Sequence, residues 1–252
     1  MKSFVTLCAL VVSAALLMSC GDDGDSGNGS PSPQPTSPSP EATSPAAIDP
    51  ADFSAVIDNP LFPLSSYSLL VYEGEETDPD TGETFTTRVE MTVLPETKTV
   101  AGVEVLVVQD QAFEDGEIVE STLDYFAQHV DGSVYYFGED VDNYEDGVVA
   151  NHDGSWLAGE GENLPGIIMP PSPEVGSVFQ QEKAPGIAED EMTVLSLTET
   201  VTVPAGTFSD CVKTEDVNPL DAGAIEFKYY CPGIGFAKEE FDEGTLELIS
   251  YE

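Results

Sequence analysis

The stretch Glu90-Met91-Thr92-Val93-Leu94 recurs unchanged as Glu191-Met192-Thr193-Val194-Leu195, and this recurrence decides the fold class. The match continues downstream, where Tyr125-Phe126-Ala127 corresponds to Tyr229-Tyr230-Cys231. In both places a glycine turn and a further aromatic strand follow the aromatic residues. The sequence therefore predicts a tandem duplication of one β-meander.

Strand periodicity surrounds the first copy of the pentapeptide. Phe85, Thr87, Val89, Met91 and Val93 alternate with polar residues, which is the pattern of a half-buried strand. Asp-Gly pairs at 115–116 and 131–132 are strong hairpin signals, and no helical period is found after the N-terminal segment. We expect an all-β fold of about ten or eleven antiparallel strands in two tandem meander repeats. One curved sheet, a sandwich and a partly open barrel all fit this pattern.

The N-terminus has the pattern of an export signal. Lys2 precedes an apolar run from Phe4 to Met18 that is short for a membrane span. The run ends in Leu17-Met18-Ser19-Cys20, which resembles a bacterial lipobox. The resemblance implies that residues 1–19 are a signal peptide and that Cys20 carries a lipid. Acyl chains would then hold the protein on a membrane, the outer one if the organism has one.

Composition divides the remainder into a tether and a folded part. Residues 20–50 are rich in serine and proline and poor in apolar side chains, so we expect a disordered tether. Residues 51–252 are long enough for a single all-β domain with a real core. Within it we place repeat one at about 65–139, a connector at about 140–175 and repeat two at about 176–252.

The charge of the chain excludes some partners. With 48 acidic and 7 basic residues, the formal net charge is −41. Nucleic acid is excluded, because its binding depends on lysine and arginine at phosphates. Direct contact with an anionic membrane surface is excluded for the same reason. A saline habitat, divalent cations or a cationic envelope partner remain as explanations of the charge.

Two cysteines remain if Cys20 carries a lipid, and in an exported protein they predict a disulfide. Residues 208–215 and 224–231 are predicted strands around a turn at 219–223. A hairpin centred on Asp221 places Cys211 opposite Cys231, at a separation that a disulfide can span.

The connector between the repeats holds the only tryptophan, Trp156, and the apolar residues Ile167, Ile168 and Met169. Connections of this length in compact domains are usually functional or cover part of the core. Two interpretations are open. These side chains plug the open end of a curved sheet, or they form a lid over an apolar cavity between the repeats.

Four motifs resemble those of a group of exported bacterial proteins and lipoproteins that has no established activity. They are Asn59-Pro60-Leu61-Phe62-Pro63-Leu64, Gly154-Ser155-Trp156, Val203-Pro204-Ala205-Gly206-Thr207-Phe208 and Tyr229-Tyr230-Cys231-Pro232-Gly233-Ile234-Gly235. The resemblance covers essentially the whole globular part and implies an all-β fold.

The sequence shows only weak signs of catalytic motifs, so we assign no catalytic residue. The chain has no Gly-x-Ser-x-Gly elbow, no His-Glu-x-x-His motif and no phosphate loop. His129 and His152 are the two histidines, and both fit ordinary surface positions. Carboxylate pairs suited to glycoside hydrolysis occur by chance in so acidic a chain.

A calcium site is the one metal site that the sequence suggests. Asp140, Asp142, Asp146 and Asp153 lie around Gly147, and calcium takes oxygen ligands from flexible loops. Tyr144 stands where an EF-hand needs an oxygen ligand, so we predict a site of another kind and no other cofactor.

The sequence as a whole favours a monomeric, lipid-anchored envelope protein that is a structural or binding module and not an enzyme. A carrier of an apolar ligand under the Trp156 segment is the first alternative. A hydrolase that uses acidic residues is the second.

Overall fold

The computed structural model describes residues 48–79, 81–221 and 224–252, which form one antiparallel sheet with two short 3-10 turns at Pro50–Asp52 and Leu64–Ser66. The strands are β1 (Phe53–Ser54), β2 (Leu69–Thr77), β3 (Thr84–Val100), β4 (Val103–Glu114), β5 (Glu117–His129), β6 (Val134–Glu145), β7 (Val148–Asn151), β8 (Trp156–Leu157), β9 (Leu164–Met169), β10 (Val178–Gln180), β11 (Glu182–Lys183), β12 (Glu191–Val203), β13 (Gly206–Val217), β14 (Ile225–Cys231), β15 (Gly235–Phe241) and β16 (Gly244–Tyr251). The all-β prediction is confirmed. The described residues contain sixteen strands, more than predicted, because β1, β7, β8, β10 and β11 are too short to show a period in sequence.

The segment 178–183, the closing segment, brings the two ends of the sheet together. Its first part, β10, pairs with β12, and its second part, β11, pairs with β9. Gln181 joins the two parts, so one short stretch of chain nearly closes the sheet into a barrel. A Cβ atom on Gly166 of β9 would lie 1.9 Å from the Gln181 carbonyl oxygen. Only glycine permits this close approach of the two backbones.

The two identical pentapeptides occupy equivalent places in the barrel. The first lies in β3 and the second in β12, and the strand orders β3-β4-β5-β6 and β12-β13-β14-β15 correspond. Met91 pairs with Asp110 on the neighbouring strand, and Met192 pairs with Asp216. Both methionines are buried on the inner face of the sheet. The same sequence therefore has the same register and the same facing in both halves.

The long hairpins β3-β4 and β12-β13 bend directly after the pentapeptides. The register of β3 shifts between Val93 and Thr97, and that of β12 shifts between Val194 and Val201. Such bulges increase the local bend of a strand. The tip of the second hairpin reaches β16, where the Ala205 amide donates to the Leu248 carbonyl oxygen at 3.1 Å. The hairpin ends thus pack back on the barrel.

The motif Asn59–Leu64 joins the two repeats at one end of the barrel. The Phe62 ring packs on Phe126 of repeat one at 5.5 Å and on Tyr230 of repeat two at 6.5 Å. The Asn59 amide nitrogen donates to the carbonyl oxygens of Gly132 and Pro170, and the Gly233 amide donates to the Pro60 carbonyl oxygen. This entry segment therefore contacts equivalent turns of both repeats, which explains its motif in structural terms.

The predicted disulfide is confirmed. Cys211 and Cys231 are joined with a Cα–Cα distance of 4.2 Å, and both are fully buried. The last ladder pair of β13 and β14 is Val212 with Tyr230, so the disulfide takes the next position of the register. In repeat one the equivalent ladder ends at Leu106 with Phe126, which places Val105 and Ala127 at the positions of the two cysteines.

This equivalence gives a matched variant for the disulfide. The double substitution Cys211→Val and Cys231→Ala copies the apolar pair of repeat one, so it removes the covalent link with little change in side-chain volume. We expect a loss of about 3 kcal/mol in the free energy of unfolding from the loop that the disulfide closes. Urea unfolding of the two proteins measures it. Equal free energies of unfolding would show that the disulfide adds no stability beyond the packing of the two side chains.

Candidate functional site

The inner face of the barrel carries a buried group of charged side chains, the interior cluster. Along β5 the inward residues are Phe126, Asp124, Thr122 and Glu120, so acidic side chains continue the apolar face of the strand. The cluster consists of Asp110, Glu120, Asp124, Glu139, Glu182, Asp190, Asp216, Glu226, Glu239 and Lys228. Buried charges require partners, and this arrangement puts carboxyl groups from both repeats in one electrostatic network.

In the repeat-two half, an ammonium group organises the carboxylates. The Lys228 Nζ lies 3.1 Å from Glu226, 3.5 Å from Asp216 and 3.5 Å from Glu239. The Lys228 side chain is only 2% exposed. Lysine is almost never buried without partners, so these ion pairs account for its position.

The repeat-one half has a carboxyl group where repeat two has the lysine. Lys228 pairs with Glu239 across β14 and β15, and Asp124 pairs with Glu139 at the corresponding place in β5 and β6. The Tyr136 hydroxyl donates to Asp124 Oδ1 at 2.8 Å. Among the residues that the structure describes, no cationic side chain forms an ion pair with Asp124, Glu139 or Asp110. Directly opposed like charges are destabilising, so this half needs another means of neutralisation.

Burial governs the acidity of the carboxyl groups in the repeat-one half of the cluster, which also includes Glu182 of β11. Desolvation, with the Asp124 charge, raises the pKa of Glu120 to about 8. Desolvation raises the pKa of Asp124 to about 7, and the hydrogen bond from Tyr136 opposes it. The pKa values of Asp110, Glu139 and Glu182 are raised well above the usual range by burial first and by neighbouring carboxylates second. These groups therefore favour the protonated form around neutral pH.

Several polar atoms inside the barrel have no hydrogen-bond partner within the described ranges. Both carboxyl oxygens of Asp110 and of Glu182 belong to this set, as do the Tyr230 hydroxyl and the Trp156 Nε1. Trp156 lies opposite Glu139 in the pairing of β8 with β6, and its ring meets Tyr136 edge-on at 5.5 Å. Unpartnered buried polar groups cost free energy, which marks this interior as more than a filled core.

A groove on the outer surface crosses β16, β2 and β3 and is a second candidate site. It has a volume of about 710 Å³ and includes the carboxylates of Glu73, Glu75, Asp115 and Glu247. The single arginine, Arg88, also lines it and forms ion pairs with Glu73 and Glu90. The groove therefore presents an excess of negative charge on an open surface.

The four residues of the predicted calcium site are not brought together. Asp140 and Asp146 lie six residues apart along β6 and its turn, which is roughly 20 Å in an extended strand. Asp140 accepts hydrogen bonds from Lys98 and Tyr125, and Asp142 pairs with His152. Asp153 follows β7 in the next turn. Within residues 48–79, 81–221 and 224–252, no three His, Cys, Asp or Glu side chains are placed to hold a metal ion. The expected loop is a hairpin, β6-β7, and extension of the strand separates the carboxylates.

The predicted lid residues lie in strands of the sheet. Trp156 lies in β8, and Ile167, Ile168 and Met169 lie in β9 between β6 and the closing segment. Trp156, Ile168 and Met169 are buried. Strand β9 of the connector pairs with β6 on one side and with β11 of the closing segment on the other. The end of the barrel is covered by Asn59–Leu64 and not by the connector.

An apolar pocket beside Phe62, Tyr72 and Phe236 has a volume of about 10 Å³, which suffices for about one water molecule. It gives the apolar-carrier hypothesis no support. The buried carboxyl groups of the interior cluster are likewise closed to a substrate, so the hydrolase hypothesis gains none. His129 contacts Asp131, and His152 contacts Asp142 near the surface.

Cys20, the signal peptide and most of the tether lie outside the described residues. Within the ranges that the structure covers, no helix is long and apolar enough to cross a membrane.

Comparison with known proteins yields two structural neighbours. One carries the provisional name of an exported protein with a YMCC-like fold, from Bacteroides fragilis, with 14% identity, a TM-score of 0.37 and coverage of 73% of this chain and 94% of the other. The second carries the provisional name of a lipoprotein, from Parabacteroides distasonis, with 16% identity, a TM-score of 0.39 and coverage of 76% and 98%. No family model matches the chain, and no curated protein does. At these TM-scores the likeness carries no functional inference.

The interior cluster predicts that Lys228 is essential for stability. Replacing Lys228 with Met keeps much of the side-chain length but leaves Asp216, Glu226 and Glu239 without their cation. We expect a loss of about 3–5 kcal/mol in the free energy of unfolding at pH 7, measured by urea unfolding. Lys213→Met is the control, because Lys213 lies over the outward Phe227 ring at 4.2 Å, and its loss should stay below about 1 kcal/mol. Equal losses in the two variants would contradict the role of Lys228.

Proposed function

We propose that this protein is a lipid-anchored envelope protein whose barrel binds a cationic ligand in the outer acidic groove, without catalysis. The groove carries the proposal. Its volume of about 710 Å³ falls within the range of ligand sites, and four carboxylates line it. Charge complementarity selects a cationic ligand, such as a basic segment of another envelope protein.

The contacts inside the groove engage three of its four carboxylates and leave Glu75 available. Arg88 engages Glu73 and Glu90, and Glu247 pairs with Lys238 at 3.3 Å. Asp115 accepts hydrogen bonds from the amide and hydroxyl of Thr86. Glu75 is exposed beside Gly74. A bound ammonium or guanidinium group would contact Glu75 directly and compete with Arg88 for Glu73.

The proposed location of the protein in the cell envelope rests on other features. Leu17-Met18-Ser19-Cys20 resembles a lipobox, and the following Ser/Pro-rich segment suits a spacer. The Cys211–Cys231 disulfide fits an oxidising compartment. Anchoring through Cys20 would present the groove to other envelope components at a distance from the membrane.

The groove is tested with a basic peptide. Tetralysine should bind the purified protein, and its affinity should fall as sodium chloride rises, because exposed charges are screened. Glu73→Gln combined with Glu75→Gln should weaken binding about tenfold or more in calorimetric titration. The matched control is Glu96→Gln with Glu104→Gln, two exposed acids of the β3-β4 hairpin. Equal affinities of the two double variants would reduce the binding to general charge attraction and overturn the groove as a site.

The anchor is tested separately by Cys20→Ser. This variant should move from the membrane fraction to the soluble fraction, because the serine hydroxyl does not replace the thiol that receives the lipid. Fractionation followed by mass measurement of the N-terminal peptide checks it. A Cys20→Ser protein that stays in the membrane fraction with its signal removed would contradict the lipid anchor.

A further inference from the structure

The two halves of the interior cluster differ in charge, although equivalent strand positions of the two repeats surround them. In repeat two, Lys228 provides a permanent positive charge for Asp216, Glu226 and Glu239. In repeat one, Asp124 stands at the equivalent position, opposite Glu139. Among the described residues, no cationic side chain forms an ion pair with Asp124 or Glu139. Protonation can neutralise these two carboxyl groups instead.

The repeat-one half also lies against the weakest part of the barrel. Glu182 is fully buried in β11, whose pairing with β9 has two residue pairs, Glu182 with Pro165 and Lys183 with Leu164. Glu182 contributes to the raised pKa of Glu139, and Asp190 and Asp124 contribute to that of Glu182. Repulsion that develops here acts directly on the strands that close the sheet.

We propose that the repeat-one half of the interior cluster is a proton-dependent lock: protonated carboxyl groups hold β11 against β9, and their deprotonation opens the closing segment. The groups that face Asp124 come from every neighbouring element. They are Asp110 of β4, Glu120 and Thr122 of β5, Tyr136 and Glu139 of β6, Trp156 of β8, and Glu182 of β11, which Asp190 and Lys228 of β14 also face.

The sign of the pH dependence follows from linkage. A carboxyl group whose pKa is higher in the folded protein stabilises the fold at low pH, and this stabilisation is lost as the pH rises through the folded value. For Glu120 and Asp124 those values are about 8 and about 7, so the window extends from about pH 4, the unfolded value, to about pH 8. Within this window, each proton that the protein releases on opening raises the equilibrium constant for opening about tenfold for each unit of pH.

The chain provides two reporters of opening. Trp156, the single tryptophan, is 3% exposed and lies opposite Glu139, so opening should shift its emission to the red. Lys183 lies in β11 itself, so the rate of tryptic cleavage after Lys183 should follow the open fraction, once corrected for the activity of trypsin on a small substrate at each pH.

The experiment compares the purified full chain with two variants between pH 5 and 9 at constant ionic strength. In the wild type, both reporters should rise with pH from pH 5 and level off above about pH 8. Asp124→Asn combined with Glu182→Gln keeps shape and removes two ionisable groups, so its reporters should change less steeply with pH than those of the wild type, because Glu120 and Glu139 remain. Glu104→Gln, an exposed acid of β4, should behave as the wild type does.

Three outcomes would overturn the lock. A wild type whose Trp156 emission and Lys183 cleavage do not change up to pH 9 would show that the carboxyl groups do not control closure. An unchanged transition in the folded double variant, checked by circular dichroism, would assign the change to other groups. If calcium chloride at matched ionic strength abolished the wild-type transition, and native mass spectrometry found one bound ion that the double variant lacks, the half would be a cation site.

Discussion

The ion pairs of the buried Lys228 are the interaction on which the interior of the barrel depends. Three carboxylates from β13, β14 and β15 surround one ammonium group, and none of them has much contact with solvent. A buried ion pair offsets its desolvation only when its geometry and partners are good, and loss of one partner leaves an uncompensated charge. The inner face of repeat two therefore tolerates its acidic residues because it carries its own cation. The strand register around the pentapeptide, in which Met192 pairs with Asp216, sets which residues meet.

Repeat one shows what happens when the same register carries a different residue. Asp124 stands in place of the lysine, and its charge adds to the effect of burial in raising the pKa values of Glu120 and Glu139. Two halves with the same strand order thus have different electrostatic requirements. Val105 and Ala127 give a second example. They occupy in repeat one the positions that the two disulfide cysteines occupy in repeat two. The disulfide and the buried ion pairs of Lys228 both lie in repeat two.

The motifs of the chain have structural roles that local pattern does not reveal. Asn59–Leu64 joins turns of both repeats, and Phe62 contacts an aromatic ring of each. Ser155 of the Gly-Ser-Trp motif accepts a hydrogen bond from the Val141 amide at 2.8 Å, which holds β8 beside β6. Ala205 of the Val-Pro-Ala-Gly motif contacts β16. Each motif therefore stabilises a junction between elements that are distant in sequence.

The sequence by itself determined the all-β class, the hairpin that pairs Cys211 with Cys231, and the phase in which Met91 and Met192 face inward, because strand period and turn chemistry are local properties. It also contained the inward phase of Glu120 and Asp124, although alternation alone does not distinguish a buried carboxyl group from an exposed one. Only the tertiary structure decided that β9 forms part of the wall, that Asp140 and Asp146 are far apart, and that Glu182 lies near enough to Glu139 to raise its pKa. These relations depend on which distant strands become neighbours when residues 178–183 close the sheet, and strand pairing across the chain leaves no periodic signal in either partner.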